Sequence, residues 1–339
     1  RIRHEGGRHM AYDGKVMRAA WQRFEEDKQR RASQAETRRR RIYQEVPRLE
    51  EIEKQLRGTV GRIMAQSLRR GEDPAPAIAR LRAENLTLQQ ERSALLKEHG
   101  YPADALEERP RCILCGDTGY CRGSVCACLQ NYYAREQIRQ LSSMLDVSTQ
   151  SFDTFELDWY DTEPGAFSRS PRETMERNFT VCRRFAQDFG HSGGNLLLFG
   201  DPGLGKTFLS ASIARVVSED GFSVVYDTAG HVFARCEAAK FRSDEEPDAA
   251  EDVRRYEKSD LLILDDLGTE MTTAFVQSAL YQLVNSRLLA GKSTVINTNL
   301  TPPELGVRYG AAVRSRLEGE YTVLPFIGRD IRKLKRERS

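Results

Sequence analysis

Two rhythms of apolar and polar positions divide this chain. From about residue 150 onward, short apolar runs alternate with stretches of helical period: Asn195-Leu-Leu-Leu-Phe199, then 223–227, 260–265, 293–298 and 321–325. Continuous apolar runs of this length predict strands buried on both faces. Their alternation with helices predicts a parallel sheet covered on both sides. Nearer the start, apolar residues recur at spacings of three and four. Leu49, Ile52, Leu56, Val60 and Ile63 form one stripe; Ile78, Leu81, Asn85, Leu88, Arg92 and Leu95 form another, interrupted by two polar members. Between them Gly71-Glu-Asp-Pro-Ala-Pro76 predicts a turn that folds the two helices into an antiparallel hairpin, within one chain or between two. The acidic stretch from Phe241 to Pro247 predicts a mobile excursion between helices.

Length and charge refine this picture. A chain of 339 residues suits two or three domains. The expected division is 1–10 an expression remnant with Met10 the native start, 11–110 a helical partner-binding region, 111–129 a cysteine module, 130–172 a connecting segment with a linker helix, and 173–339 the α/β domain. The net charge of +2 gives no global field for nucleic acid, so any such site is a local patch. Residues 15–70 carry 16 Lys/Arg against 8 Asp/Glu, including the run Arg38-Arg-Arg-Arg41. Two readings stand side by side: a solvated helix surface, or a contact surface for an acidic partner. The helical stripes suit docking onto another protein's helices. No run approaches the ~20 apolar residues that span a bilayer, and no signal peptide opens the chain. A cytoplasmic protein without membrane partners is expected, its seven cysteines serving metal or remaining free thiols rather than forming disulfides.

The densest chemistry lies at Gly200-Asp201-Pro202-Gly203-Leu204-Gly205-Lys206-Thr207. It follows a strand pattern and precedes a helix pattern running from Phe208 to Ser218, the context in which a glycine-rich phosphate loop works. Glycines let successive N–H groups face phosphate oxygens, and the helix N-terminus adds partial positive charge. Lys206 is expected on the β- and γ-phosphates and the Thr207 hydroxyl on Mg²⁺. With Phe208 closing the set, these residues predict binding of a nucleoside triphosphate. Leu261-Leu-Ile-Leu-Asp265-Asp266 predicts a second buried strand that delivers two carboxylates at its C-terminal tip, where ligands of parallel sheets bind. Asp265 is expected in the magnesium shell, and Asp266 as the group that orients and deprotonates the attacking water.

A second constellation is Cys112-Ile-Leu-Cys115-Gly-Asp-Thr-Gly-Tyr-Cys121-Arg-Gly-Ser-Val-Cys126-Ala-Cys128, five cysteines in seventeen residues. Two pairs of thiolates can close a tetrahedral shell. Cys112, Cys115, Cys126 and Cys128 are the expected ligands, with Cys121 a substitute or bystander. Zinc is the expected ion and an iron–sulfur cluster the competitor; the role is structural. Cys182 and Cys236 fall on helical stretches and read as core residues.

Taken jointly, the helical N-terminal region, the Cys-x-x-Cys-Gly-Asp-Thr-Gly module, Ser151-Phe-Asp-Thr-Phe155, the phosphate loop and Leu264-Asp-Asp-Leu-Gly268 resemble bacterial replicative helicase loaders of the DnaC/DnaI type. These are AAA+ ATPases whose catalytic domain is shared with IstB-type transposition ATPases. The motifs match well over 150–339, fairly over 111–129, and only in composition over 11–99. The resemblance implies a P-loop AAA+ domain with five parallel strands and a small C-terminal helical element. It implies an ATP-dependent homo-oligomer that places a hexameric replicative DNA helicase on single-stranded DNA. It further implies Asn299 as the polar sensor, Arg316 as an arginine finger acting on the neighbouring protomer's nucleotide, and Arg332 as a second sensor. DNA contacts are expected over Gly230–Arg242. The alternative expectation is an IstB-like or phage-borne regulator of a transposase or recombinase. An adaptor whose triphosphate site only controls binding is a third. Asp266 stands where many such ATPases carry Glu, and its shorter reach implies slow turnover.

Overall fold

In the structure, a computed structural model, residues 12–67, 75–145, 149–191, 193–242 and 245–338 are described, without the side chains of 60 and 63–67. The expected remnant at 1–10, most of the turn at 71–76 and part of the acidic excursion at 241–247 lie outside the described residues. The chain divides into two compact units: Gln22–Cys126, and the described residues of Arg1–Trp21 with Ala127–Ser339. Helix α1 spans Gly14–Glu45, α2 Pro47–Ser67 and α3 Ala75–Glu98. A short antiparallel pair follows, β1 (Tyr120–Cys121) and β2 (Ser124–Val125), then α4 (Ala127–Leu141).

The helices of the first unit pair as their stripes require. Ion pairs Arg48–Glu91 (2.7 Å) and Arg62–Glu84 (3.8 Å) run across α2 and α3 in antiparallel order, with Arg92–Glu53 (2.7 Å) beside the first. Leu49 and Ile52 are fully buried, while Ile78, Leu81, Asn85, Leu88, Arg92 and Leu95 are all half-buried on one face of α3. The polar member Asn85 meets the Thr59 hydroxyl, which lies 3.3 Å from its Oδ1. Ile42, Val46, Leu49 and Leu96 join Ala105 and Leu106 in a small core.

In the second unit α5 (Pro171–Gln187) precedes an alternation of strands and helices: β3 (Leu196–Gly200), α6 (Lys206–Glu219), β4 (Val224–Thr228), α7 (Ala229–Phe241), α8 (Ala249–Lys258), β5 (Leu261–Leu267), α9 (Ala274–Leu289), β6 (Ser293–Thr298), α10 (Pro302–Tyr309), α11 (Ala311–Glu320), β7 (Thr322–Phe326) and α12 (Ile331–Arg338). All five strands are parallel, in the order β4-β5-β6-β3-β7. Each strand starts within one residue of its expected run. Successive side chains of a strand face opposite sides of the sheet, and the two cores record this. Leu196, Leu198, Ile263, Val295 and Leu324 pack with α5 and α6. Leu197, Leu262, Leu264 and Ile296 pack with α7, α9, α10 and α11. This is the α/β fold with a five-stranded parallel sheet that the sequence predicts, preceded in the chain by a helical region.

Local chemistry sets the helix starts. The Ser170 hydroxyl accepts from Glu173 N ahead of Pro171, and Thr273 accepts from Val276 N; each satisfies an amide that the first helical turn leaves unpaired. At the sheet's N-terminal edge the Arg287 guanidinium, 1% exposed, donates to Thr294 Oγ1, Tyr256 O, Ser259 Oγ and Ser293 O. Burial pulls its pKa down to about 10. Truncating such a hub leaves several buried acceptors unpaired, at a cost of about 3 kcal/mol.

Candidate functional site

The phosphate loop is built by close approach. Gly200 has φ 141°, and a Cβ there would stand 2.1 Å from Phe326 O. Gly203, φ 79°, would place one 1.9 Å from Asp330 Oδ1, and Gly203 O accepts from Ile331 N at 3.0 Å. The loop is thus seated against β7 and the start of α12, and no larger residue fits. On its other side the buried Tyr160 hydroxyl donates to Leu204 O at 2.9 Å. The Phe155 ring stacks on Tyr160 at 6.0 Å and meets Phe208 edge-on at 5.4 Å.

Lys206 opens α6 and is 7% exposed. Its Nζ donates to Gly200 O (2.5 Å), Asp201 O (2.9 Å) and Asn299 Oδ1 (2.8 Å). Burial lowers its pKa to about 8, against the opposing pull of Asp265, Asp266 and Asp201. The Thr207 hydroxyl donates to Asp265 Oδ2 at 3.1 Å, and the buried Tyr226 hydroxyl donates to the same oxygen at 2.7 Å. Asp265 is 3% exposed and also accepts from Asp266 N at 2.9 Å.

The two acids part company at the tip of β5. Pairing with β6 is irregular between Leu264 and Leu267, and Asp266 takes a left-handed φ of 54°. Aspartate tolerates that region better than most residues. The result turns Asp265 inward and Asp266 outward, exposed. Desolvation raises the Asp266 pKa, the Asp265 charge adds to this, and Lys206 and Arg332 oppose it.

These groups surround a cavity of about 370 Å³ lined by Pro202–Phe208, Asp266, Asn299 and Arg332, with Phe155, Trp159, Tyr160 and Lys335 opposite. The volume lies within the roughly 300–1,000 Å³ range of small-molecule sites. Gly200 and Asp201 contribute carbonyls to Lys206 rather than lining. Arg316 is not among the lining residues; it is exposed on α11, where Arg314 pairs with Glu318 at 2.9 Å. The aromatic bracket is what the sequence reading missed as site residues, although Phe155 belongs to the motif Ser151–Phe155. Trp159 lies under the Arg338 guanidinium at 4.4 Å, and Asp161 holds Arg329 through two hydrogen bonds of 2.6 and 2.9 Å. Only tertiary structure brings these pairs together, at separations well over 100 residues. Hard oxygen donors suit Mg²⁺, so Thr207 and Asp265 could hold that ion.

The cysteine segment forms a separate constellation. The sulfurs of Cys112, Cys115, Cys126 and Cys128 all lie within 4.8 Å of one another, those of Cys112 and Cys126 being 3.7 Å apart. Four thiolates about 2.3 Å from a tetrahedral zinc stand about 3.8 Å apart, so the set fits one ion. Cys121 is outside it, its sulfur 3.7 Å from Leu114 O. The Asp117 carboxylate accepts from Arg111 N (3.0 Å), Cys112 N (2.9 Å) and Arg31 (2.9 Å). Burial works to raise its pKa, but these donors and Lys28 outweigh it and hold the carboxyl below its ordinary value. Cys182 is fully buried and Cys236 half-buried; burial pushes their thiols up to about 12 and about 11, so neither is a nucleophile at neutral pH.

Comparison with known proteins agrees on the nucleotide domain. Residues 179–315 match the family model described as IstB-like ATP binding protein. An insertion-sequence ATP-binding protein of Sinorhizobium fredii is 34% identical over 95 residues, 28% of this chain and 30% of that protein. The replicative helicase loader DnaC of Buchnera aphidicola is 22% identical over 137 residues, 40% of this chain and 55% of the relative. Among solved structures, the crystal structure of the DnaC helicase loader is similar at 20% identity and a TM-score of 0.44, covering 54% of this chain and 99% of that one. The chain spans between 30% and 55% of the length of these curated relatives. Residues 179–315 are therefore similar to an IstB-like ATP-binding domain. Among the described residues no helix is long and apolar enough to cross a membrane.

Proposed function

We propose that this chain is an ATP hydrolase whose site is completed by a second copy, and that it loads a hexameric replicative helicase onto single-stranded DNA in the cytoplasm. One observation carries the shared site. Lys206, Asp266, Asn299 and Arg332 converge on one cavity, while Arg316 stands exposed on α11 away from it. A guanidinium so placed serves a phosphate only across a boundary between copies.

The chemistry follows from the residues. Lys206 exchanges two main-chain carbonyls for phosphate oxygens, so that its ammonium meets charged instead of neutral acceptors. Asp266 orients a water against the γ-phosphorus; as the water oxygen bonds to phosphorus, the bond from phosphorus to the β–γ bridging oxygen breaks, and ADP leaves carrying that bridging oxygen while the water oxygen stays on the released phosphate. The water proton passes to the Asp266 carboxylate, whose raised pKa makes it a better base at neutral pH. Magnesium, held by Thr207 and Asp265, would supply neutralisation of the phosphate charge. Arg316 from the neighbouring copy neutralises charge that grows in the transition state, an effect worth about 10³–10⁵ elsewhere. Loss of the γ-phosphate then removes the ligand common to both copies, and the assembly loosens. The Cys₄ segment holds zinc as a structural ion.

Two features support the loader reading. A helical unit and a cysteine segment stand outside the matched residues 179–315 and offer a separate surface for the helicase. On α7, within the expected DNA-contacting stretch, Phe241 is 64% exposed and its ring lies 5.7 Å from Phe275. Lys240 sits over both rings at 5.4 and 5.6 Å. An exposed ring backed by a half-buried one, with a cation over both, suits stacking on single-stranded bases. The insertion-sequence relatives favour a second reading, a regulator that assembles on duplex DNA beside a transposase.

Turnover measured against protein concentration tests the shared site. Specific activity should rise with concentration and collapse in Arg316→Ala; flat activity, or an indifferent Arg316→Ala, refutes it. Helicase capture by the full chain together with preference for single strands supports loading, whereas duplex preference without capture favours the second reading.

A further inference from the structure

The turn that follows the acid pair is tied to the helices that carry Arg316. The Asp266 carbonyl accepts from Thr269 N (3.3 Å) and Thr269 Oγ1 (2.9 Å), and Gly268 N donates to Glu270 Oε2 at 3.0 Å. The other Glu270 oxygen accepts from the Tyr309 hydroxyl, and its backbone carbonyl accepts from Arg308. Arg308 and Tyr309 end α10; Gly310, φ 97°, closes α10 and opens α11, so six residues of chain separate Tyr309 from Arg316. Tyr309 is 3% exposed and shares its core with Leu267 on β5 and Val313 and Leu317 on α11. The opposite flank of the tip is held by β6, where Thr298 Oγ1 donates to Leu267 O at 2.6 Å. The Asp266 backbone is thus fixed in a left-handed conformation by a turn whose outer anchor is Glu270.

Two atoms in this hub lack partners. Arg308 Nε and Thr272 Oγ1 are buried, and neither has a hydrogen-bond partner among the described residues. A buried donor left unpaired is costly, and a hub that leaves one can gain by rearranging. Burial and the bond to Glu270 both raise the Tyr309 pKa, so the phenol stays a neutral donor at physiological pH.

The geometry points to Glu270 and Tyr309 as positioning residues, a latch through which seating of Arg316 on a neighbouring copy's nucleotide sets Asp266 in the subunit's own site. This rests on the shared site proposed above and adds its direction of signalling. When α11 is held by the neighbour, α10 moves with it, and the Tyr309–Glu270 bond transmits that shift to the turn at 266–270. Neither residue touches the cavity or the expected phosphate position.

The experiment compares wild type, Arg316→Ala, Glu270→Gln, Tyr309→Phe and Tyr309→Phe/Arg316→Ala, all full-length. It measures ATP turnover against protein concentration, KM against kcat, and affinity for a non-hydrolysable ATP analogue. Tyr309→Phe and Glu270→Gln should each lower the concentration-dependent part of kcat about tenfold, the effect of losing one hydrogen bond to a charged group. Analogue affinity should stay within about twofold of wild type, which also reports correct folding. The double variant should be no slower than Arg316→Ala alone, because both changes interrupt one route. Wild-type concentration dependence in both latch variants, with Arg316→Ala inactive, overturns the latch and leaves the shared site standing. An additive double variant overturns it equally. Turnover in wild type that ignores both concentration and Arg316 overturns the two together, since the latch then has no signal to carry.

Discussion

The two chemical centres of this chain are assembled by opposite means. The nucleotide end rests on strands whose Leu196, Leu197, Leu198 and Ile263 are almost wholly removed from water, so its functional groups are presented by a scaffold that is stable before any ligand arrives. The cysteine segment has little such support. Ile113 and Leu114, between the first two cysteines, are 92% and 75% exposed, and the buried groups are sulfurs and Asp117. Its backbone bends through left-handed residues at Gly116, Asp117, Gly119, Arg122 and Gly123; at the non-glycine Asp117 and Arg122 that conformation costs free energy rather than supplying it. Rigidity in one place comes from burial of apolar area, and in the other we propose that it comes from bonds to an ion.

The largest effect expected from this contrast is metal removal. Stripping the ion with a chelator, or replacing Cys112 and Cys115 by serine, should unfold residues 111–126, because structural zinc contributes on the order of 10 kcal/mol in small modules. Hydrogen exchange should show lost protection there, while the unfolding transition of the sheet stays in place. Unchanged protection after complete metal loss would mean that the segment holds its shape without a ligand.

Next in size is Lys206→Ala. Losing the ammonium from a preformed phosphate loop should weaken ATP binding about 100-fold, the cost of one or two charge-assisted hydrogen bonds. Thermal stability should stay within about 1 kcal/mol of wild type. A large loss of stability instead would show that the loop depends on Lys206 for its shape.

The smallest effect is on pH. Free Lys206 has a pKa near 8, lowered by burial, and bound phosphate favours its charged form. Binding therefore takes up a proton once the free amine is neutral. Affinity should be flat below pH 8 and fall by about tenfold per pH unit above it. Calorimetry at pH 9 in buffers of different ionisation enthalpy checks this; a pH-independent affinity from 7 to 9 would contradict the assignment. For the unliganded protein the sign is opposite. Unfolded lysine binds its proton more tightly, so this group's contribution to stability grows between pH 8 and about 10.4.

Much of this architecture is legible in the sequence because buried parallel strands read as unbroken apolar runs and phosphate loops have strict spacing. Leu196–Gly200 and Ser293–Thr298 fall where their runs predict for that reason. The helical stripes of α2 and α3 are equally plain, even at the polar Asn85 and Arg92. What stayed hidden depends on partners far away in the chain. Nothing local marks Tyr160 as the residue bonded to Leu204, or Trp159 as the ring under Arg338. Asp265 and Asp266 look alike in sequence, and only the irregular pairing of β5 with β6 shows one buried against Tyr226 and the other turned out. Glu270 reads as an ordinary loop acid until Tyr309 is seen beside it.

The most direct measurement is complementation between two inactive variants. Lys206→Ala keeps Arg316 but has lost the ammonium of its own phosphate loop; Arg316→Ala keeps that ammonium but offers its neighbour no guanidinium. If the site is shared, mixing the two should restore ATP hydrolysis well above the sum of the separate preparations. Each Lys206→Ala copy then completes the pocket of an Arg316→Ala copy. Activity in the mixture no greater than that sum, with both proteins folded and able to co-assemble, would contradict the account.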